Sequence, residues 1–290
     1  SELFMTAPFT ADDKTAGAGT AENAAKSGVA AILAKDSDEA IAKAKQLLSV
    51  LPANNLETAG NDYYMENDAA VSADLKGIEL ISSVADKESV IELYKQFGTS
   101  AVTAIGSLNW RTAGFVATNN GAKLTADDSA KIARFVTLCD AYSIPVVTFV
   151  DSEGFEKSSA AELAGSIRDS AKLAQAYASA TTAKIAVVTG KAYGSAYVAL
   201  ASTAAGSDFT FAWEGAVIAP TTPEAAVVFL NGVSEDNAKQ AQEYADNEAD
   251  AFTAAANGYV DRVITAEDTK SALTSAIEAT SSKRVVTPAK

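Results

Sequence analysis

Residues 184–200, KIAVVTGKAYGSAYVAL, limit the possible folds of this chain more than any other stretch. Ile185, Ala186, Val187 and Val188 have no polar face, which suits a strand buried on both sides. The run breaks at Thr189-Gly190. Small residues, Gly194, Ser195 and Ala196, then precede an apolar helical run over 197–201. Strand, sharp turn and helix start leave the backbone N–H groups of Ser195 and Ala196 without intrahelical acceptors, at the positive end of the helix dipole. Small side chains let a carbonyl oxygen approach them closely. An oxyanion hole can be built this way from main chain alone. A tight connection with no ligand would use the same glycines, so the motif by itself leaves both open. Two phosphate-loop patterns are not met. Gly190-Lys191 lacks a glycine five residues earlier and is followed by Ala192, and Gly194-Ser195-Ala196 does not supply G-x-G-x-x-G.

The 290 residues contain no histidine. That removes Ser-His-Asp and Cys-His catalysis, the usual zinc sites and the commonest base near neutral pH, so no metal is expected. Any chemistry must rest on backbone donors, carboxylates, Lys or Tyr, or on a cofactor that brings its own proton acceptor. The net charge of −14 argues against a nucleic-acid or anionic-membrane surface. No stretch approaches the roughly 18–20 continuous apolar residues of a membrane span. The start, Ser1-Glu2-Leu3-Phe4, has neither an initiator Met nor a signal segment and reads as a chain cut into its own interior. The one cysteine, Cys139, shares the apolar stripe Ile132, Phe135, Val136, Cys139, as a buried core thiol would. A lone thiol fits a reducing compartment, so the expected location is cytoplasmic.

Taken in order, residues 1–60 read as an arm, with a flexible stretch at Gly17-Ala18-Gly19 and a helix over 38–50 that carries Ile41, Ala44 and Leu48 on one side. It should stop before Pro52, with a turn at Asn54-Asn55. Residues 56–70 read as a linker, and helices are expected near 77–84 and 88–94. Apolar runs 100–105 and 112–117 should form a hairpin around 106–111, with a turn signal at 118–121. A helix carrying Cys139, capped by Asp127 or Asp128, leads to a strand at 146–150. A long helix over 158–180, with Leu163, Ile167, Ala171, Ala174 and Ala178 on one face, leads to the 185–188 strand. Strands alternating with helices imply a parallel sheet with right-handed crossovers, whose ligands bind beyond the strand C-termini. The loops at 151–157 and 190–196 should therefore share one crevice. Further on come a strand at 209–213, a helix at 223–230, a long helix over 234–256 capped by Ser234, a short extended run at 259–264, a last helix from 265 or 266 to 279, and a polar tail.

RFVTLCDAYSIPVVTFVDSEGF (134–155), KIAVVTGKAYGSAY (184–197), PEAAV (223–227) and NGYVDRVI (257–264), in this order and spacing, resemble the C-terminal half of the carboxyltransferase subunits of biotin-dependent acyl-CoA carboxylases and decarboxylases. LLSVLPANN (47–55) resembles the segment that links that family's two halves. The resemblance implies an α/β fold, a crotonase-like ββα spiral with an N-terminal arm. Residues 1–60 would be the tail of a preceding crotonase-like domain plus linker, and 61–290 the C-terminal carboxyltransferase domain. It further implies carboxyl transfer between carboxybiotin, borne on a biotin carboxyl carrier protein, and a coenzyme A thioester. The other expected partners are an N-terminal carboxyltransferase half, on the same or a separate chain, and further copies in a homo-oligomer. As the N–CO₂ bond breaks, the biotin ureido oxygen gathers negative charge, so no histidine base is required.

In the family the relevant oxyanion hole lies at the Gly-Ala pair of a G-G-A-Y motif, which here reads Ser195-Ala196 after Gly194; the exchange to Ser keeps the backbone donor. Val198 matches an acyl-pocket position, where an apolar residue suits an apolar or small acyl group. Phe155 and Tyr197 look like walls of the biotin pocket, or are simply core aromatics, and the resemblance also places Gly154 and Gly194 among the substrate-binding residues. The D-x-P-G-F motif has Glu153 for Pro, and Ala183 stands where a Pro is common. Asp151, Glu162 and Glu224 match acidic positions and read as caps and loop anchors. The alternatives are a decarboxylase subunit of a sodium-pumping complex, an enoyl-CoA hydratase- or isomerase-like enzyme with catalytic carboxylates, and an assembly half inactive alone.

Overall fold

The computed structural model describes residues 20–54, 57, 65–119 and 123–283. The expected flexible stretch at 17–19, Asn55 and most of the linker, the turn residues Asn120 and Gly121, and most of the polar tail lie outside the described residues.

One mixed sheet organises the chain. Its strands are β1 (Ile91–Leu93), β2 (Val102–Leu108), β3 (Arg111–Ala117), β4 (Val146–Ser152), β5 (Lys184–Tyr193), β6 (Phe209–Trp213), β7 (Val217–Ala219) and β8 (Arg262–Ile264). The first three form an antiparallel meander, and β3, β4, β5, β6 and β8 then run parallel in that spatial order. β7 pairs only with the far end of β5. Helices join the parallel strands: α4 (Ala126–Ala141), then α5 (Ser159–Leu163) and α6 (Ser166–Ser179), then α7 (Ser195–Leu200). Before the sheet lie α1 (Ala21–Lys26), α2 (Ser37–Val50) and α3 (Gly77–Val84); after β7 come α8 (Pro223–Asn231), α9 (Asn237–Asn247), α10 (Ala251–Ala256) and, last, α11 (Thr269–Ala279).

The apolar run of β5 is buried on both faces because helices cover both. Ala186 and Val188 pack with Ile132, Phe135, Leu173 and Tyr177 of α4 and α6. Ile185 and Val187 pack with Leu80, Ile81, Leu273 and Ile277 of α3 and α11. Burying each such Val, Ile or Leu contributes roughly 1.5–3 kcal/mol, so these two clusters outweigh any single polar contact. Cys139 sits inside the first of them at 0% exposure, and burial pushes its thiol pKa far up. The arm docks on this body. Tyr94 N–H donates to Ala31 O at 2.7 Å, Thr112 Oγ1 donates to Val50 O at 2.9 Å, and the Arg134 guanidinium lies 5.2 Å from the Tyr94 ring centre.

Several elements differ from expectation. The strand at 185–188 does not break at Gly190 but continues to Tyr193, because β7 gives its second half a new partner. Residues 91–93 are a strand rather than part of a helix, since β2 offers an edge to pair with. The hairpin turn is two residues, Asn109-Trp110, both with positive φ, as the tight primed turns require. Thr125 caps α4, with Asp128 completing the box from N3. The expected 158–180 helix breaks at Ala164-Gly165, where Gly165 has φ 96°. Its inner face is Ser166, Asp169, Leu173 and Tyr177; Leu163 is 90% exposed and Ile167 points outward too. The 234–256 helix is two, α9 and α10, and Asp250 caps the second through the N–H groups of Phe252 and Thr253. Ser234 caps neither. α2 exposes Ile41, Ala44 and Leu48.

Candidate active site

The second half of β5 takes on a new partner beyond the main run of the sheet. Lys184 to Val188 pair with β4 and β6, whereas Lys191 to Tyr193 pair with β7. Gly194 then turns the chain into α7 with φ 56° and ψ −129°, a conformation open in practice to glycine alone. Its N–H donates to Ala219 O at 2.9 Å, and a Cβ added to it would lie 2.9 Å from Pro220 O. Gly194 O accepts from Val198 N–H at 3.2 Å and so closes the first turn of α7. The N–H groups of Ser195 and Ala196, at the first two helical positions, meet no acceptor among the described residues. Ser195 is exposed and Ala196 is fully buried.

Around these amides the structure brings most of the expected residues together. The 151–157 loop lies beside β5: Ser152 pairs with Ala192, and a Cβ on Gly154 would sit 3.8 Å from Tyr193 O. On its other side Phe155 bridges Leu124; Leu124 N–H donates to Gly154 O at 3.0 Å and Glu156 N–H to Leu124 O at 2.8 Å. Phe155 and Tyr197 are both half-buried and pack on the same core cluster. The Tyr197 hydroxyl donates to Tyr259 O at 2.6 Å, and burial pushes its pKa up to about 12. That bond makes Tyr197 a tie between α7 and the 257–260 turn. Val198 is 53% exposed.

Asp151 is a loop anchor: its Oδ1 accepts from Lys191 N–H at 2.8 Å. Glu162 and Glu224 lie exposed in the first turns of α5 and α8, while Ser158 and Thr222 do the capping. The acidic positions are thus structural or solvated. Sequence reasoning missed three contributors. Ala219, the last residue of a strand that no periodicity announced, and Pro220 just after it lock Gly194. Tyr193 is buried beside the turn, which raises its phenol pKa. Lys191 and Glu153, 38 residues apart, form an ion pair that no local pattern could reveal.

Two cavities of about 350 and 210 Å³ lie elsewhere, one between the arm and β1, the other between the β2–β3 turn and α11. Neither cavity is lined by Ser195 or Ala196; of the two residues that carry the amides, Ser195 is exposed and Ala196 buried. Among the described residues no helix is long and apolar enough to cross a membrane.

A parallel sheet with helix-start amides at its strand ends, built on the crotonase-like spiral, is the class that fold and site define. The chain belongs to the carboxyl transferase domain family, whose pattern matches residues 5–290. It is 34% identical over 320 residues to the methylmalonyl-CoA carboxyltransferase 12S subunit of Propionibacterium freudenreichii subsp. shermanii, covering 100% of this chain and 61% of that one. It is 33% identical over 311 residues to the methylmalonyl-CoA decarboxylase subunit alpha of Veillonella parvula, covering 98% and 60%. To the propionyl-CoA carboxylase beta chain of Cereibacter sphaeroides it is 33% identical over 314 residues, covering 99% and 62%. The crystal structure of transcarboxylase 12S, a hexamer with methylmalonyl-CoA and methylmalonic acid bound, matches with a TM-score of 0.88 at 32% identity, covering 100% of this chain and 61% of that one. The chain spans about three fifths of the length of these relatives.

Proposed function

We propose that this chain forms the biotin-side half of a site for carboxyl transfer between carboxybiotin and a small, apolar acyl-CoA. The observation that carries the proposal is the pair of acceptor-free N–H groups at Ser195 and Ala196, aimed by Gly194. Two neutral main-chain donors at a helix start fit a ureido oxygen that becomes more negative during reaction. When bound, carboxybiotin would supply the carboxyl group and a proton acceptor, which matches a chain with no histidine. Ser195 and Ala196 hold the oxygen; Gly154, Phe155 and Tyr197 wall the ring; Val198 faces the acyl group. Methylmalonyl-CoA and propionyl-CoA, named in the relatives, supply the acyl candidates. The relative named as a decarboxylase uses a chain equally similar to this one, so the same half-site also fits transfer in the decarboxylating direction. A hydratase site would need free carboxylates beside the amides, and there Asp151 and Glu153 are both engaged with Lys191.

An open half-site needs a cover, because amide donors gain most where water is excluded. We assign the cover to an N-terminal carboxyltransferase half, with 1–60 as the tail and linker of a preceding domain and 61–290 as the domain proper. A biotin carboxyl carrier protein delivers the ring, further copies complete a homo-oligomer, and the lone buried Cys139 suits the cytoplasm. Ser195→Pro tests the proposal in the assembled enzyme. Proline is accommodated at a first helical position, so the variant deletes one N–H and keeps the helix. Transfer from acyl-CoA to biotin should fall about 10²–10³-fold, about 2.7–4 kcal/mol, with circular dichroism unchanged. A rate near wild type would sink the proposal.

A further inference from the structure

Glu153 and Lys191 lie on the two segments that meet beside Ser195 and Ala196, and neither belongs to the amide pair or to the core. Lys191 Nζ donates to Glu153 Oε1 at 2.7 Å. The same lysine gives its backbone N–H to Asp151 Oδ1, so one residue of β5 holds the loop at two points. The bond from Lys191 holds the Glu153 carboxyl below its usual range, and the charge of Lys123 adds to the effect. The outer end of the loop is fastened separately. Ser152 Oγ donates to Gly154 O at 3.1 Å and accepts from Gly154 N–H at 3.2 Å, and main-chain bonds tie Gly154 and Glu156 to Leu124. Gly154 belongs to the outer fastening and Phe155 is bridged to Leu124, both directly after Glu153. Their distance from the helix-start amides is thus set from outside by main chain and from inside by the side-chain pair. Proline, which would stiffen such a loop by itself, is absent from it.

We propose that the Glu153–Lys191 ion pair is a positioning clamp that sets the gap between Gly154-Phe155 and the Ser195-Ala196 amides, and so sets affinity for a ring held in that gap. The clamp rests on assigning that gap to biotin. Both side chains reach the surface, at 31% and 51% of their area, so salt screens the pair and its loss spares the core.

The test uses the assembled enzyme, with biotin methyl ester titrated calorimetrically and KM measured for biotin and for acyl-CoA. Glu153→Gln and Lys191→Gln should each weaken biotin binding and raise its KM about two- to fivefold, equivalent to roughly 0.4–1 kcal/mol. The KM for acyl-CoA and the Tm should stay put. The double exchange Glu153→Lys with Lys191→Glu should restore wild-type affinity, which a merely structural role would not produce. Raising KCl to about 0.5 M should bring wild type to the level of Glu153→Gln and leave that variant unmoved. Unchanged biotin affinity in the single variants, or an equal rise in both KM values, overturns the clamp. If wild type turns acyl-CoA over but fails to bind biotin methyl ester, the assignment to biotin falls, and the clamp with it.

Discussion

Adjacent residues of the turn into α7 answer to opposite demands. Gly194 has no freedom: its φ of 56° and the Pro220 carbonyl 2.9 Å from a would-be Cβ leave no space for a side chain. Ser195 has a helical backbone and an exposed side chain, so on the proposed function only its N–H is constrained. Gly194→Ala should therefore cost about 1–3 kcal/mol in urea unfolding, whereas Ser195→Ala should stay within about 0.5 kcal/mol of wild type in stability and keep activity. A Gly194→Ala protein as stable as wild type would show that the turn relaxes freely. This contrast explains why the sequence tolerates Ser in a glycine motif at one position and could not at the other.

Strands and helices were legible to different degrees, for a physical reason. Residues 146–150 and 185–188 declared themselves because both faces are buried, and burial on two sides leaves an unbroken apolar run. The phase of α6 misled because Leu163 and Ile167 are apolar but outward, while polar Ser166 and Asp169 turn inward. The adjacency of the 151–157 and 190–196 loops followed from parallel-sheet topology; the extension of β5 onto β7 did not, since its partner is only three residues long, too short a run to read as a strand. α7 itself, six residues long, depends on its ties. Tyr197→Phe removes the bond to Tyr259 O and should cost about 0.5–1.5 kcal/mol. The neutral phenol is favoured in the folded state, so its contribution is intact below the ordinary tyrosine pKa near 10 and is lost as pH rises through about 12. Urea midpoints across that window should fall less steeply in Tyr197→Phe than in wild type; parallel curves would assign the alkaline loss to other tyrosines.

At the scale of the molecule, large apolar side chains stand in solvent on the helices flanking the site. Phe229 and Val233, on and just after α8, are each 88% exposed, and Leu163 and Ile167 stand out on α5 and α6. A face of this kind is expected to be covered in the assembled enzyme. Phe229→Glu should leave the Tm of the isolated chain unchanged and lower the assembled mass seen by sedimentation; intact assembly would place the interface elsewhere.

The length of β5 has a further consequence. Because the far end of β5 is the only strand that β7 pairs with among the described residues, a state in which β7 peels away would keep the central layers intact. Such a state would retain nearly all its secondary structure and yet let Gly194 rotate freely, scattering the two donors. Inactivation on warming is then an event separate from melting, and an enzyme judged native by its spectrum can already have lost its chemistry.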